Sequence, residues 1–178
     1  MQIKSKLGKI LLTSGRFTLD GSDLSWANLR DADLRGVNLR GVNLFRSILS
    51  GADLRDSDLS GADLYDSDLS GANLFRSILI GADLSGANLN MADLCGADLS
   101  GANLNMADLC GADLNMAELC GADLNMAELC GADLSGADLR GAKLDNVKID
   151  RYTRFNSTTN LDPEQLTYLI MKGIRYGN

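Results

Sequence analysis

The chain has 178 residues, 45% hydrophobic and 23% charged, with 17 basic against 24 acidic side chains and a net charge of −7. It contains no histidine, one proline and only 5% aromatics. That composition excludes Ser-His-Asp and Cys-His catalysis, His-ligated zinc and imidazole proton shuttling. The acidic balance argues against attraction to phosphate backbones or anionic lipid, so neither direct nucleic-acid binding nor membrane binding is expected.

Residues 1–16 read as an N-terminal lead-in or cap. Ile3, Leu7, Ile10 and Leu11 follow the i, i+4, i+7, i+8 spacing of an amphipathic helix, with Lys4, Lys6 and Lys9 mostly off that face. A basic membrane-surface helix is the alternative. The apolar run Ile10-Leu11-Leu12 is too short for a membrane span or a signal segment. The expected compartment is therefore the cytoplasm, with reduced thiols.

Residues 17–150 form an array of period five. Leu occupies every fifth position from Leu19 to Leu144 and Ile149 closes the series, without insertion or deletion. Two residues before each centre the slot is small, with 18 Ala, five Ser and three Val, and Phe17 at the start. Directly before each centre stand 14 Asp, six Asn and two Glu. On an α-helix such leucines would advance by about 140° and smear round the surface. On a straight strand they would alternate between faces. A chain that turns a corner every five residues buries them all, because four sides close a coil of 20 residues whose neighbours pair like parallel strands.

Units such as Gly51-Ala52-Asp53-Leu54 and Gly131-Ala132-Asp133-Leu134 carry the A(D/N)LXX pattern, which resembles the pentapeptide-repeat family. The resemblance implies an all-β solenoid, a right-handed quadrilateral β-helix of about seven 20-residue coils. No catalytic residue and no cofactor is expected, because a filled square core leaves no cleft and a Cys nucleophile would lack a base.

In such a coil Leu54, Leu74, Leu94, Leu114 and Leu134 stack as one core column, with Ala52, Ala72, Ala92, Ala112 and Ala132 as its small companion. Gly21, Gly41, Gly61, Gly81, Gly101, Gly121 and Gly141 make an unbroken outward column. Its uniformity suggests that this corner differs from the other three.

Residues 151–178 read as a linker and a capping helix. Asp162-Pro163-Glu164-Gln165 has the form of a helix start, and Leu166, Leu169, Ile170 and Ile174 supply an apolar stripe. Some members of the family dimerise through a C-terminal helix, which makes Tyr168, Met171 and Tyr176 candidates for a homodimer surface.

Outside the coils, charge is segregated. Residues 61–138 hold 13 acidic side chains and one basic one, Arg76. Over about four coils that is one net charge per ~1.6 Å, near the ~1.7 Å of duplex DNA. Asp93, Asp113 and Asp133 mark this face. The resemblance implies a topoisomerase reading here, because some family members bind DNA gyrase by imitating duplex DNA and confer quinolone resistance. Those members commonly carry Phe at central slots and loop insertions, and this chain has neither. The alternative is that each carboxylate caps backbone N–H groups at its own corner. Arg30, Arg35, Arg40 and Arg55 form a basic girdle on the first coils, facing Asp31, Asp33, Asp53 and Asp56.

Phe45 and Tyr65, twenty apart, are expected to stack with Ile48 nearby, and Phe75, Ile78 and Ile80 form a second apolar patch facing the opposite way. Cys110 and Cys130 share a column, but parallel side chains ~4.8 Å apart miss disulfide geometry, so free thiols are expected. No CxxC pair or histidine completes a zinc set, and no metal is expected. The chain thus reads as a non-enzymatic scaffold or protein-interaction module with an unidentified protein partner. A DNA-mimicking gyrase binder is the alternative.

Overall fold

The computed structural model describes residues 2–5, 10–13, 19–156 and 159–173. Within them the pentads build a β-solenoid. The residue before each central position forms a parallel bridge with the residue twenty further on, from Asp23 with Asn43, through Asp93 with Asp113, to Glu128 with Lys148. Twenty residues hold four pentads, so each circuit has four sides. Between coils, Leu94 N–H donates to Asp113 O at 2.7 Å and Asp93 N–H donates to Ala72 O at 3.0 Å. Every side repeats this exchange, which satisfies backbone groups that a straight, isolated chain would leave open.

Each corner is a tight turn. Ala52 N–H donates to Leu49 O at 2.9 Å, and the turn's third residue, Gly51, has φ +66°. Positive φ at that residue alone is the type II pattern. The glycine column suggested that one corner differs from the rest, and the backbone corrects this. All four corners carry φ between +51° and +75°, including those occupied by Trp26, Arg46, Met91 and Met116. The inter-coil ladder imposes the turn whatever the side chain, at a cost of about 1–2 kcal/mol for each non-glycine corner.

Leu54, Leu74, Leu94, Leu114 and Leu134 are buried, as are Ala52, Ala72, Ala92, Ala112 and Ala132 beside them. Each such leucine contributes about 1.5–3 kcal/mol. Where Ser takes the small slot, Ser57, Ser67 and Ser77 donate to the carbonyls of Leu54, Leu64 and Leu74 at 2.6–2.7 Å.

At the front, β1 (Gln2–Ser5) and β2 (Ile10–Thr13) pair antiparallel, and β1 also pairs with β3 (Ala32–Asp33). The amphipathic-helix reading is corrected: Ile3, Ile10 and Leu11 lie in strands, and Leu7 lies outside the described residues. Ala32 is bonded within the solenoid, its N–H to Leu29 O and its carbonyl from Asp53 N–H, so the edge of the first coil that faces β1 is the outer one, at Asp33. An extended segment can pair with that edge, whereas a helix has already used its own groups. Ile3 is buried there.

At the back the ladder runs past 150, into residues read as a linker. Asp133 bridges Arg154 and Asp138 bridges Asn160, offsets of 21 and 22 in place of 20. Each side has gained one residue, and a reciprocal clasp recurs every six. Asp150 N–H donates to Thr153 Oγ1 and Thr153 N–H to Asp150 Oδ1, both at 3.0 Å. Asn156 N–H donates to Thr159 Oγ1 at 3.2 Å, and Asp162 N–H to Gln165 Oε1 at 2.7 Å.

The clasps also finish the edge. The N–H groups of Gly131, Gly136 and Gly141 donate to the side-chain oxygens of Asp150, Asn156 and Asp162 at 2.9, 3.1 and 2.8 Å. Thr153 and Thr159 hydroxyls donate to Leu129 O and Leu134 O at 2.9 Å, and the Gln165 amide to Leu139 O and Ala142 O at 2.7 Å. Side chains thereby stand in for the missing next coil. The third clasp opens α1 (Pro163–Met171), whose Leu169 is fully buried. Among the described residues no helix is long and apolar enough to cross a membrane.

Candidate functional site

With the interior filled, the outward columns hold the candidate sites. Asp93, Asp113 and Asp133 stack on successive coils. Each uses Oδ1 to accept an N–H two residues on, from Cys95 at 3.1 Å, Asn115 at 2.9 Å and Ser135 at 3.0 Å. This is the local corner use of Asp, an Asx turn, and it leaves the second oxygen outward.

Ion pairs trim the acidic block at both ends. Between coils Asp66 meets Arg46, Asp123 meets Lys143, Glu128 meets Lys148 and Asp133 meets Arg154, and on one coil Asp138 meets Arg140. For Asp133, burial opposes ionisation, but hydrogen bonds from Ser135 and Arg154 outweigh it and hold the carboxyl below its ordinary range. The carboxylates without a basic partner among the described residues, Asp93 and Asp113 included, run from Asp63 to Glu118. The bare acidic band is therefore narrower than residues 61–138.

Three of the four girdle arginines are spent on neighbouring carboxylates. Arg35 meets Asp33 at 2.7 Å, Arg55 meets Asp53 at 2.6 Å and Arg40 meets Asp58 at 3.3 Å. The hydrogen bond from Arg55 is the main cause holding the Asp53 carboxyl below its ordinary range.

On another side, Phe45 and Tyr65 stack with centroids 5.7 Å apart and planes at 7°. Trp26, 64% exposed, meets Phe45 edge-on at 5.7 Å. The Arg46 guanidinium lies 5.3 Å from the Trp26 ring centroid and 5.1 Å from that of Phe45. Phe75, Ile78 and Ile80 are exposed half a coil away. Sequence reasoning missed Trp26, which lies one residue out of the Phe45–Tyr65 column.

Open depressions interrupt the surface of the described residues. One is lined by Asp113, Asp133, Arg151, Tyr152 and Arg154, and another by Tyr65, Asp66, Ser85, Gly86, Asn103, Asn105, Met106 and Asp123.

The model of pentapeptide repeats matches residues 17–44, 38–74, 77–115 and 117–150, as eight copies. The chain belongs to the pentapeptide-repeat family. It is similar to HetL of the cyanobacterium Nostoc sp. strain PCC 7120, a pentapeptide repeat protein involved in heterocyst differentiation regulation. Identity is 33% over 74% of this chain and 73% of that one, with a TM-score of 0.41. It is also similar to a pentapeptide repeat protein of the Arabidopsis thaliana thylakoid lumen (26% identity, 78% and 77% coverage, TM-score 0.54). A trypsin-treated variant of QnrB1, a plasmid-mediated fluoroquinolone resistance protein, gives 26% identity, 79% and 87% coverage and a TM-score of 0.54. No curated protein sequence matches the chain.

All four cysteines of this pentapeptide-repeat chain are free and half-buried. The stacking of coils brings together Asp108, Cys110 and Glu128, whose ligand atoms lie within 4.8 Å of one another. Sequence reasoning missed this group, although Asp108-Leu109-Cys110 and Glu128-Leu129-Cys130 are twenty apart. Burial, with a hydrogen bond to Asp108, pushes the Cys110 thiol up to about 12, and Lys148 already neutralises Glu128. The group is ion-paired through Glu128 to Lys148. Of the expected pairing surface, Tyr168 packs against the core and its oxygen accepts Asn146 N–H at 3.0 Å. Met171 is 84% exposed, and Tyr176 lies outside the described residues.

Proposed function

We propose that the protein is a non-enzymatic scaffold of the cytoplasm that docks a protein partner on its outward columns. We infer further that the stack is a right-handed square rod of about seven coils, closed at the back by α1. The observation that carries this reading is the filled interior. Leu and Ala columns occupy the lumen at near-zero exposure, so what varies along the array is the outer surface. Paired carboxylates recur along the rod, but they face water in Asx turns and not a closed cleft, and no histidine serves as a base for a cysteine nucleophile.

A second reading is favoured by the bare carboxylates between Asp63 and Glu118: an acidic face that imitates duplex DNA and binds a gyrase-type topoisomerase. A supercoiling assay separates the two. The scaffold reading predicts no effect of micromolar protein on gyrase, together with recovery of a defined partner in a pull-down. Inhibition that disappears in Asp93→Asn/Asp113→Asn would favour the DNA mimic. A pull-down empty with intact, folded protein would contradict the scaffold.

A further inference from the structure

We propose that the depression between Tyr65 and Met106 is a receptor for the guanidinium group of an arginine side chain on a partner protein. The proposal rests on the docking-scaffold reading and names the chemistry that one of its columns recognises.

Large side chains fill this side of the rod coil by coil and then stop. Trp26 meets Phe45, and Phe45 stacks on Tyr65. The next coil carries only Ser85 and Gly86, and the one after resumes with Asn105 and Met106. The gap so formed is the open depression. Two coil steps at ~4.8 Å separate Tyr65 from Asn105, about 9.6 Å. A planar group with contacts of about 3.5–4 Å on each face fits once in that space. Phe45 covers one face of the Tyr65 ring, and the other looks into the gap.

A carboxylate is aimed at the same place. A Cβ at Gly86 would lie 2.5 Å from Asp66 Oδ1, so the absence of a side chain at 86 lets that oxygen project over the gap. Asp66 Oδ2 is held by Arg46 Nε at 3.2 Å and by its terminal nitrogen at 3.0 Å, whereas Oδ1 accepts no hydrogen bond among the described residues. Asp63 and Asp83, on the adjacent column, have no basic partner among the described residues and add to the negative potential.

Two coils before Gly86 the chain assembles the same groups by itself. Arg46 lays its guanidinium beside the Trp26 and Phe45 rings and donates twice to Asp66 Oδ2 on the following coil. At Gly86 the ring, Tyr65, and the carboxylate oxygen, Asp66 Oδ1, both stand on the preceding coil, and position 86 carries no cation. A guanidinium is planar, stacks on an aromatic face and donates a fork to a carboxylate, and an ammonium does only the last of these, as a point charge. Arg46 already balances the Asp66 charge through Oδ2, and an anion or a neutral apolar group would leave Oδ1 without a donor.

The test is a solution NMR titration of the isotope-labelled full chain with the peptide acetyl-Gly-Arg-Gly-amide and with its lysine counterpart. Saturable shifts should appear at the Ser85, Gly86 and Asn105 amides with the arginine peptide, at least tenfold more weakly with the lysine one. Tyr65→Ala should weaken binding at least tenfold. Gly86→Arg, which fills the gap from within at the column that already carries Arg46, should abolish it with the amide spectrum still dispersed. Silent amides, equal response to lysine, or full binding by Gly86→Arg would each overturn the proposal. If Tyr65→Ala fails to fold, Gly86→Arg decides. A silent titration beside a successful pull-down sinks the arginine slot alone, and an empty pull-down beside a positive titration sinks the scaffold reading alone.

Discussion

Leu94→Ala should lower the stability of the protein by about 2–5 kcal/mol, toward the upper part of that range. Leu94 sits at mid-array with no exposure, between Leu74 and Leu114 in its column. The cost of such a cavity depends on how far its walls can collapse. Here they are pinned, because Leu74 N–H is bonded to Asp93 O and Leu94 N–H to Asp113 O, both at 2.7 Å. The neighbouring leucines are held in their own slots by this ladder, and the Ala92 slot has no side chain long enough to swing into the void. The same change at Leu24, 8% exposed on the first coil, should cost less. Denaturant unfolding of both variants checks the contrast. Because each coil touches only its neighbours, the mid-array variant should also unfold less cooperatively, with a smaller m-value. Equal costs at the two sites would mean that the interior is not a continuous packed column.

The second large effect is expected at the back edge. Replacing Asn156 with Ala, Thr159 with Val and Gln165 with Leu together should cost about 3 kcal/mol, roughly 1 kcal/mol for each substitution. The substitutions leave Gly136 N–H without its side-chain acceptor and remove the side-chain donors to Leu134 O, Leu139 O and Ala142 O. An opened coil edge is also a template for a second chain, so the triple variant should associate with rising concentration where the parent does not. Calorimetry and light scattering read the two consequences separately. A triple variant with parental stability and no association would show that α1 packing alone closes the rod.

The interior was legible because its signal is unbroken. Leucines in register from Leu19 to Leu144 permit only a path that turns every five residues, and the bridges at a spacing of twenty follow. The ends were harder, because there the edge decides and the local pattern does not. Ile3, Ile10 and Leu11 match a helical spacing by coincidence over a short stretch, yet the segment pairs in strands with the outer side of the first coil. The closing clasps escaped because the period changes from five to six. Asp150, Asn156 and Asp162, each followed three residues later by Thr or Gln, carry that signal in plain view.

The outer surface was legible only by column. Stacking of Phe45 on Tyr65 follows directly from a spacing of twenty. Pairs such as Lys143 with Asp123 obey the same arithmetic and shrink the acidic face below what a count over 61–138 implies. The gap beside Tyr65 is written as an absence, Ser85-Gly86, and acquires meaning only against the filled coils on either side. The glycine column misled for a related reason. Residue identity varies between corners, but the backbone turn does not.

The coil itself is most directly tested by a distance between spin labels at Asp63→Cys and Lys143→Cys, with the native cysteines replaced by serine. Four bridges link these positions, through Asp83, Asn103 and Asp123. The account predicts a narrow distribution with a backbone separation of about 19 Å, four steps of ~4.8 Å. A separation near the ~120 Å of a helix over the same span, or a broad spread of long distances, would contradict it.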